Sequence, residues 1–468
     1  MFHPAKGAVL RSDLSLGTVV LMAPLAPLLP EPLMRFNLAT WMALAFSGWA
    51  FCLLASTWTE SIVAGVFSGL TAVMGSHQSL HYVHLNLLSV GWLPIFVLAI
   101  ERLVAVEWPA FVPLAALSFA LVASSSGYYA VAAVVLALVV FARTPSIPAL
   151  KRGLAAAFLA LVLLLPYLLA YAGLHRDEGL ERTSRELAKG SWTLADLGSR
   201  TIIHRVWNGG RGEPLFPGFA VTGLALLGLW RGGKRERTLG VAALLLFWLG
   251  LGETGGLYRL IASVPPFSSM RHPVTLTAVG LMLICVVAAS ALASIEKRSR
   301  LAASAILLLA AGETLAPQND FFNVAPGVPR VYEELARRPQ GPVLEVPPYE
   351  ASTLIWASRQ GFETLNGGGA FIPAITNRIE TAVQNHWLTD SYQPIDDSKA
   401  AGILLNETSM RYLILPGGRR GGLNPLIQRF RECGCFKELG VYGGDLLFEA
   451  VRDSSCRAWS GALPQSRS

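Results

Sequence analysis

The sequence predicts a polytopic α-helical membrane protein of about 10–11 spans, followed by a small C-terminal extracytoplasmic α/β domain. Three observations lead there. Of the 468 residues, 53% are hydrophobic and only 15% charged, against about 25% charged in a soluble globular protein. The apolar residues come in blocks of about 15 to 22, long enough to cross a bilayer or nearly so. Beyond about residue 317 the sequence turns polar and proline-rich ("ETLAPQNDFFNVAPGVPR"), and no later segment is apolar enough to span. The net charge of +7 is no argument for nucleic acid, since basic residues in such a chain mark cytoplasmic loops. The partner expected from composition is membrane lipid.

Residues 1–34 read as an outer or interfacial segment. Within them 16–30 is apolar but holds Pro24 and Pro27, which fits a broken helix at the interface better than an eleventh span. Spans are expected at about 35–56, 61–76, 85–100, 109–124, 127–142, 153–174, 215–230, 239–252, 273–294 and 301–316. Several are short, which implies tilted packing. Together they make a membrane domain over 35–316.

Charge sets the orientation. The short loops "RTPSIPALKR" (143–152), "RGGKRER" (231–237) and "EKRSR" (296–300) fall on one side by alternation, while the opposite loops around 77–84 and 124–126 hold no Lys or Arg. The basic side is then cytoplasmic in an inner (plasma) membrane, and 77–84, 175–214, 253–272 and the domain 317–468 face outward. No charged n-region leads into an apolar h-region after Met1. With the N-terminus on the outer face, a preceding span is expected to be missing from this chain.

The C-terminal domain alternates strand and helix signals. "PVLEVPP" (342–348), "RYLILPG" (411–417) and "DLLFEAV" (445–451) read as strands, the last one preceded by the turn residues "YGGD". "VYEELARR" (331–338) and "NPLIQRFREC" (424–433) read as helices. Cys52 and Cys285 lie in spans and count as small hydrophobes. Cys433, Cys435 and Cys456 lie in an oxidising setting. The first two are too close for an easy mutual bridge, so one of them pairs with Cys456, pinning the last strand to the helix before it.

Motifs exclude several enzyme classes. "NGGRG" (208–212) and "NGGGAF" (366–371) lack phosphate-loop spacing and read as turns. There is no HExxH, GxSxG or CxxC, which removes the usual zinc-protease, serine-hydrolase and thioredoxin signatures. His77, His81 and His84 are spaced i, i+4, i+7, one face of a helix. Metal ligation, phosphate contact with proton transfer, and structural hydrogen bonding at a helix start all remain open for them.

The order of features resembles the GT-C superfamily of integral-membrane glycosyltransferases, in particular large bacterial members with an outer C-terminal domain. The residues that carry the resemblance run through most of the chain. They are "FHPAKGAVLRSDLSLGT" and "RFNLATWMALAFSGWAFCLLAS", then "HLNLLSVGWLPIFVLAIER" with its H-x-N … W-x-P … E-R pattern. "SSSGYYAVAAVVLALVVF", "PPFSSMRHP", "PVLEVPP" and "RYLIL" follow. The resemblance implies transfer of a sugar from a polyprenyl-phosphate donor on the outer face. It also implies an acidic residue in the first outer loop, as base or as partner of a divalent metal ion, the one cofactor suggested. Asp13 is the only carboxylate before Glu31 and is the catalytic candidate. The chain departs from the family in beginning inside that loop.

The chemistry asks for the same groups independently. Glycosyl transfer needs a base for the acceptor hydroxyl and positive charge or donors for the leaving phosphate. On the outer rim Asp13, Glu253, Asp177 and Glu178 can serve as the base, and Arg11, Arg271, Arg205 and Arg211, with His77, His81, His84, His204 and His272, can hold the phosphate. Two other readings stand beside this one. A lipid-linked-glycan transporter should carry ionisable residues in its spans, where Glu313 stands almost alone. A non-catalytic assembly subunit fits the missing upstream span.

Overall fold

The computed structural model describes residues 14–29, 31–75, 81, 84–105, 110–178, 191–192, 215–252, 255–262, 264, 267–270, 272–314, 328–345, 405–406, 408–415, 434–453 and 456. The chain divides into two compact units. One is Asp13–Asp320, and the other is Phe321–Ser468 together with Met1–Ser12.

The first unit is helical. A short α1 (Leu16–Met22) precedes α2 (Pro32–Thr59), α3 (Ile62–Val73), α4 (Leu85–Leu88) and α5 (Trp92–Ala105). Then come α6 (Phe111–Ser125), α7 (Gly127–Arg143), α8 (Ile147–Glu178), α9 (Phe219–Arg231) and α10 (Lys234–Gly250). The unit ends with α11 (Gly256–Ile261), α12 (Val274–Glu296) and α13 (Arg300–Thr314). Four stretches are long and apolar enough to cross a membrane: Met34–Thr59, Leu85–Ala105, Ile147–Leu174 and Val274–Glu296. Each of the ten apolar blocks read from the sequence falls on a helix or helix pair of this unit. The block 16–30 is broken, as its prolines require: α1 stops at Met22 and a single 3₁₀ turn follows at Ala26–Leu28. The block 85–100 is also interrupted, by a 3₁₀ turn at Ser89–Gly91 between α4 and α5.

Helix α12 is the centre of the unit. Leu276, Val279, Leu283, Ala288 and Leu292 are all buried, and no polar face breaks the apolar surface, as befits a helix enclosed on all sides. Helix α8 is the periphery, with Leu154, Phe158, Leu161 and Leu169 exposed. Lipid is as apolar as leucine, so helices here gain by close backbone approach through small residues. A Cβ at Gly69 of α3 would stand 2.4 Å from the Gly48 carbonyl oxygen of α2, and one at Gly228 of α9 would stand 2.5 Å from that of Val287 in α12. Only glycine permits these two crossings.

At one end of the bundle a buried carboxylate ties three helices. Glu101 of α5 receives Arg143 of α7 at 2.5 Å and Arg235 of α10 at 3.2 Å. The Arg235 guanidinium also lies over the Trp58 ring of α2, 5.6 Å from its centroid.

The second unit holds a four-stranded sheet of order β1–β2–β4–β3, where β1 is Val343–Glu345, β2 Tyr412–Leu415, β3 Phe436–Tyr442 and β4 Asp445–Ala450. The β1–β2 pair is parallel and the other two pairs are antiparallel. Helix α14 (Arg330–Leu335) sets Val331, Tyr332 and Leu335 against Val343, Tyr412, Ile414 and Leu447. The three expected strands and the helix near 331–338 are therefore present. The expected helix 424–433 lies outside the described residues.

Strand β3 is absent from the sequence reading. Its burial is irregular and its register shifts between Glu438 and Gly440, so no two-residue alternation marks it. The turn into β4 is Gly443–Gly444, both at positive φ (65° and 106°), as tight hairpin turns favour. A disulfide joins Cys435 to Cys456, while Cys433 lies outside the described residues. This is one of the two expected pairings, and the helix 424–433 that it was expected to pin lies outside the described residues. The bond joins the start of β3 to the chain just past β4, across the open end of the hairpin.

Candidate functional site

Of the residues singled out by sequence, Arg11, Asp13, His77, His204, Arg205, Arg211, Glu253 and Arg271 lie outside the described residues. His81, His84 and His272 are described, and Asp177 and Glu178 close α8. His81 and His84 are not on a helix, as their spacing suggested. They precede α4, with His84 as its N-cap. A turn brings them together instead: the His84 N–H donates to the His81 carbonyl at 2.8 Å, and the two Nδ1 atoms are 3.4 Å apart. The helix begins only at Leu85, where the apolar run starts.

The stretch Ser124–Tyr129, at the start of α7, gathers segments far apart in sequence. Tyr129 is fully buried and its hydroxyl donates to the Leu87 carbonyl of α4. The next residue back, Tyr128, accepts the His272 N–H on its hydroxyl at 2.7 Å. Ser125 Oγ accepts the Gly17 N–H of α1 at 2.9 Å. The Trp92 indole donates to the Gly17 carbonyl at 3.1 Å, and the Thr18 and Ser89 hydroxyls meet beside it.

Local sequence explains the hub. Three serines before Gly127 offer N-cap hydroxyls, and Ser126, in extended conformation, terminates the previous helix and starts the next. The 3₁₀ break before α5 is held from α2: Ser47 Oγ donates to the Leu88 carbonyl at 2.8 Å and accepts the Gly91 N–H at 2.9 Å. A Cβ at Gly17 would come within 2.6 Å of Ser125 Oγ and 2.7 Å of the Trp92 ring, so α1 docks there only with glycine at this position.

Apart from His84 and His272, these hub residues belong to the stretches that carry the resemblance but are not among the site candidates that the sequence offers. The signal that could have found them is the serine cluster at a helix start. The tyrosine and tryptophan contacts are tertiary and carry no local signal.

Among the described residues, no group of three or more His, Cys, Asp or Glu side chains is placed to share a metal ion. His81 and His84 alone make two potential ligands, so the described residues do not fit a metal centre. Glu313, in the last apolar block, has a structural partner: its Oε2 accepts the Ala220 N–H at 3.0 Å, in the first turn of α9.

No protein-family profile matches the sequence, and neither does any curated protein sequence. Among solved structures, the chain is similar to the mycobacterial arabinofuranosyltransferase AftD, in a cryo-EM structure of its R1389S mutant, with a TM-score of 0.57 at 13% identity. The likeness covers 90% of this chain and 35% of that one. It is a likeness of fold. The chain thus has a polytopic α-helical membrane fold, spans about a third of the length of that transferase, and carries a small sheet domain after its membrane helices.

Proposed function

We propose that the protein is a membrane glycosyltransferase, moving a sugar from a polyprenyl-phosphate donor to an acceptor on the outer face of the inner membrane. The C-terminal domain stands on that same side in this reading, as the Lys/Arg asymmetry of the short loops favours. The observation that carries the proposal is the gathering of α1, α4 and His272 at the start of α7, in a chain with the fold of an arabinofuranosyltransferase.

Each residue has a role in the step. The bond from the sugar's anomeric carbon to the phosphate oxygen breaks, and a bond from that carbon to the acceptor oxygen forms. The electron pair leaves with the phosphate, and the acceptor proton passes to the Asp13 carboxylate. Arg11 and Arg271 hold phosphate oxygens through their planar guanidinium forks. His77, His81, His84 and His272 donate hydrogen bonds to the same group.

The test is transfer by the full chain in proteoliposomes, from a panel of polyprenyl-phosphate sugars that includes arabinofuranose. Activity is expected for one donor, lost in Asp13→Asn and reduced in Arg271→Ala by about 10- to 100-fold, the value of a charged hydrogen bond. Absence of transfer with every donor, in protein that is folded and binds none of them, would leave the non-catalytic assembly subunit as the correct reading.

A further inference from the structure

We propose that the N-terminus of α7, at Ser126, Gly127 and Tyr128, seats the donor's phosphate group. The inference deepens the function proposed above and rests on it.

Four observations meet at this helix end. Ser126 is the N-cap, so its side chain sits beside the first N–H groups of a 17-residue helix, yet it makes no capping bond. Its hydroxyl is fully buried and has no hydrogen-bond partner. A buried polar group left unpaired is rare in native proteins and calls for an explanation. At Gly127 a Cβ would meet nothing within 4 Å, so there is room at the helix end itself. No acidic residue occupies the first turn, where carboxylates usually complement the positive end of the helix dipole.

The chemistry of the missing occupant follows. The first N–H groups of a helix have no intrahelical acceptor, and together with the dipole they favour an anion with several acceptor oxygens. The Ser126 hydroxyl can donate one more bond. Tyr128 ties this end to His272 and Tyr129 ties it to the helix that His84 caps. His272 and the helix capped by His84 are therefore both tethered to this helix end. A phosphate ester fits, as donor or as the lipid phosphate left after transfer; a neutral sugar hydroxyl would leave the dipole unused.

Farnesyl phosphate is the probe, with farnesol as the uncharged control, on the full chain purified in detergent. Gly127→Asp separates the two roles of this helix end. A carboxylate there favours the helix, so the melting temperature should hold or rise. It also repels phosphate, so farnesyl phosphate affinity should fall about tenfold or more, with farnesol binding unchanged. Ser126→Ala removes a hydroxyl with no protein partner and should likewise keep stability while weakening binding several-fold. Inorganic phosphate is the competitor: failure to displace farnesyl phosphate assigns the site to the lipid headgroup, the expected result, and displacement assigns it to the free anion.

Parent-like affinity in both variants overturns the inference. If Arg271→Ala and His272→Ala weaken binding while Gly127→Asp does not, the proposed donor survives and only this seat is wrong. If the parent itself binds no farnesyl phosphate, both the donor and the seat are wrong.

Discussion

The two ends of α7 solve the same assembly problem with opposite chemistry. At Arg143 the helix joins its neighbours through a buried ion cluster, in which Glu101 sits between two guanidinium groups. At Ser125–Tyr129 it joins them through hydroxyls, an indole and main-chain groups, with no charged partner in any of these contacts. The first end satisfies itself. The second leaves one buried hydroxyl unpaired and open space beside a glycine. The contrast sets a joint that is paired within itself against one with unspent hydrogen-bonding capacity, the capacity that the proposed phosphate seat would use.

The contrast breaks most visibly at the charged end. Glu101→Ala should destabilise the helical unit by about 3–5 kcal/mol, because it strands buried guanidinium charge. Joint replacement of Glu101 and Arg143 by leucine should recover much of that loss. Thermal unfolding in detergent measures both, and equal damage from the single and the joint change would show that charge pairing is not what matters there.

At the other end the effects are smaller and more local. Gly17→Leu should cost about 1–3 kcal/mol of overpacking against Ser125 and Trp92, relieved if α1 leaves its dock. Protease cleavage between 23 and 31 should then rise while the main unfolding transition stays in place. A shift of the main transition instead would make α1 part of the bundle's core rather than a docked segment.

The smallest expected effect is the most specific. Tyr129→Phe removes one hydrogen bond to Leu87, worth about 0.5–1.5 kcal/mol. Because that bond anchors the helix capped by His84, farnesyl phosphate affinity should fall by more than stability does. Loss of stability with unchanged affinity would place the Tyr129 contact on the scaffold side of the contrast.

What could be read in advance follows the same division. Long apolar blocks found their helices because the bilayer period is written in composition, and Pro24 and Pro27 broke 16–30 where their missing N–H groups required. Glu101 was visible only as part of an E-R pattern, and nothing local announced that its partners are Arg143 and Arg235. The histidines were overread. Their helical spacing was real in sequence, but the chain reaches His84 through a turn and the helix starts after it. Ser126, the residue on which the strongest inference rests, is one of three consecutive serines. Only the tertiary environment distinguishes it from Ser125, which is bonded to Gly17 and to Leu121. Strand β3 was hidden because a shifted register and irregular burial erase alternation.

The Glu101 cluster has a consequence for how the chain enters the membrane. Arg143 and Arg235 belong to two of the three basic loops from which the sequence reading takes the cytoplasmic side, and orientation during insertion is governed by Lys and Arg with little opposing weight from acidic residues. In that reading the two arginines act as topogenic signals while the chain is being threaded, when Glu101 does not mask them. Once α7 and α10 are in place, the same two charges are neutralised against a carboxylate that was inserted earlier, on α5. A change of Arg143 to a neutral residue would then act twice, weakening the retention of its loop during translocation and stranding Glu101 afterwards.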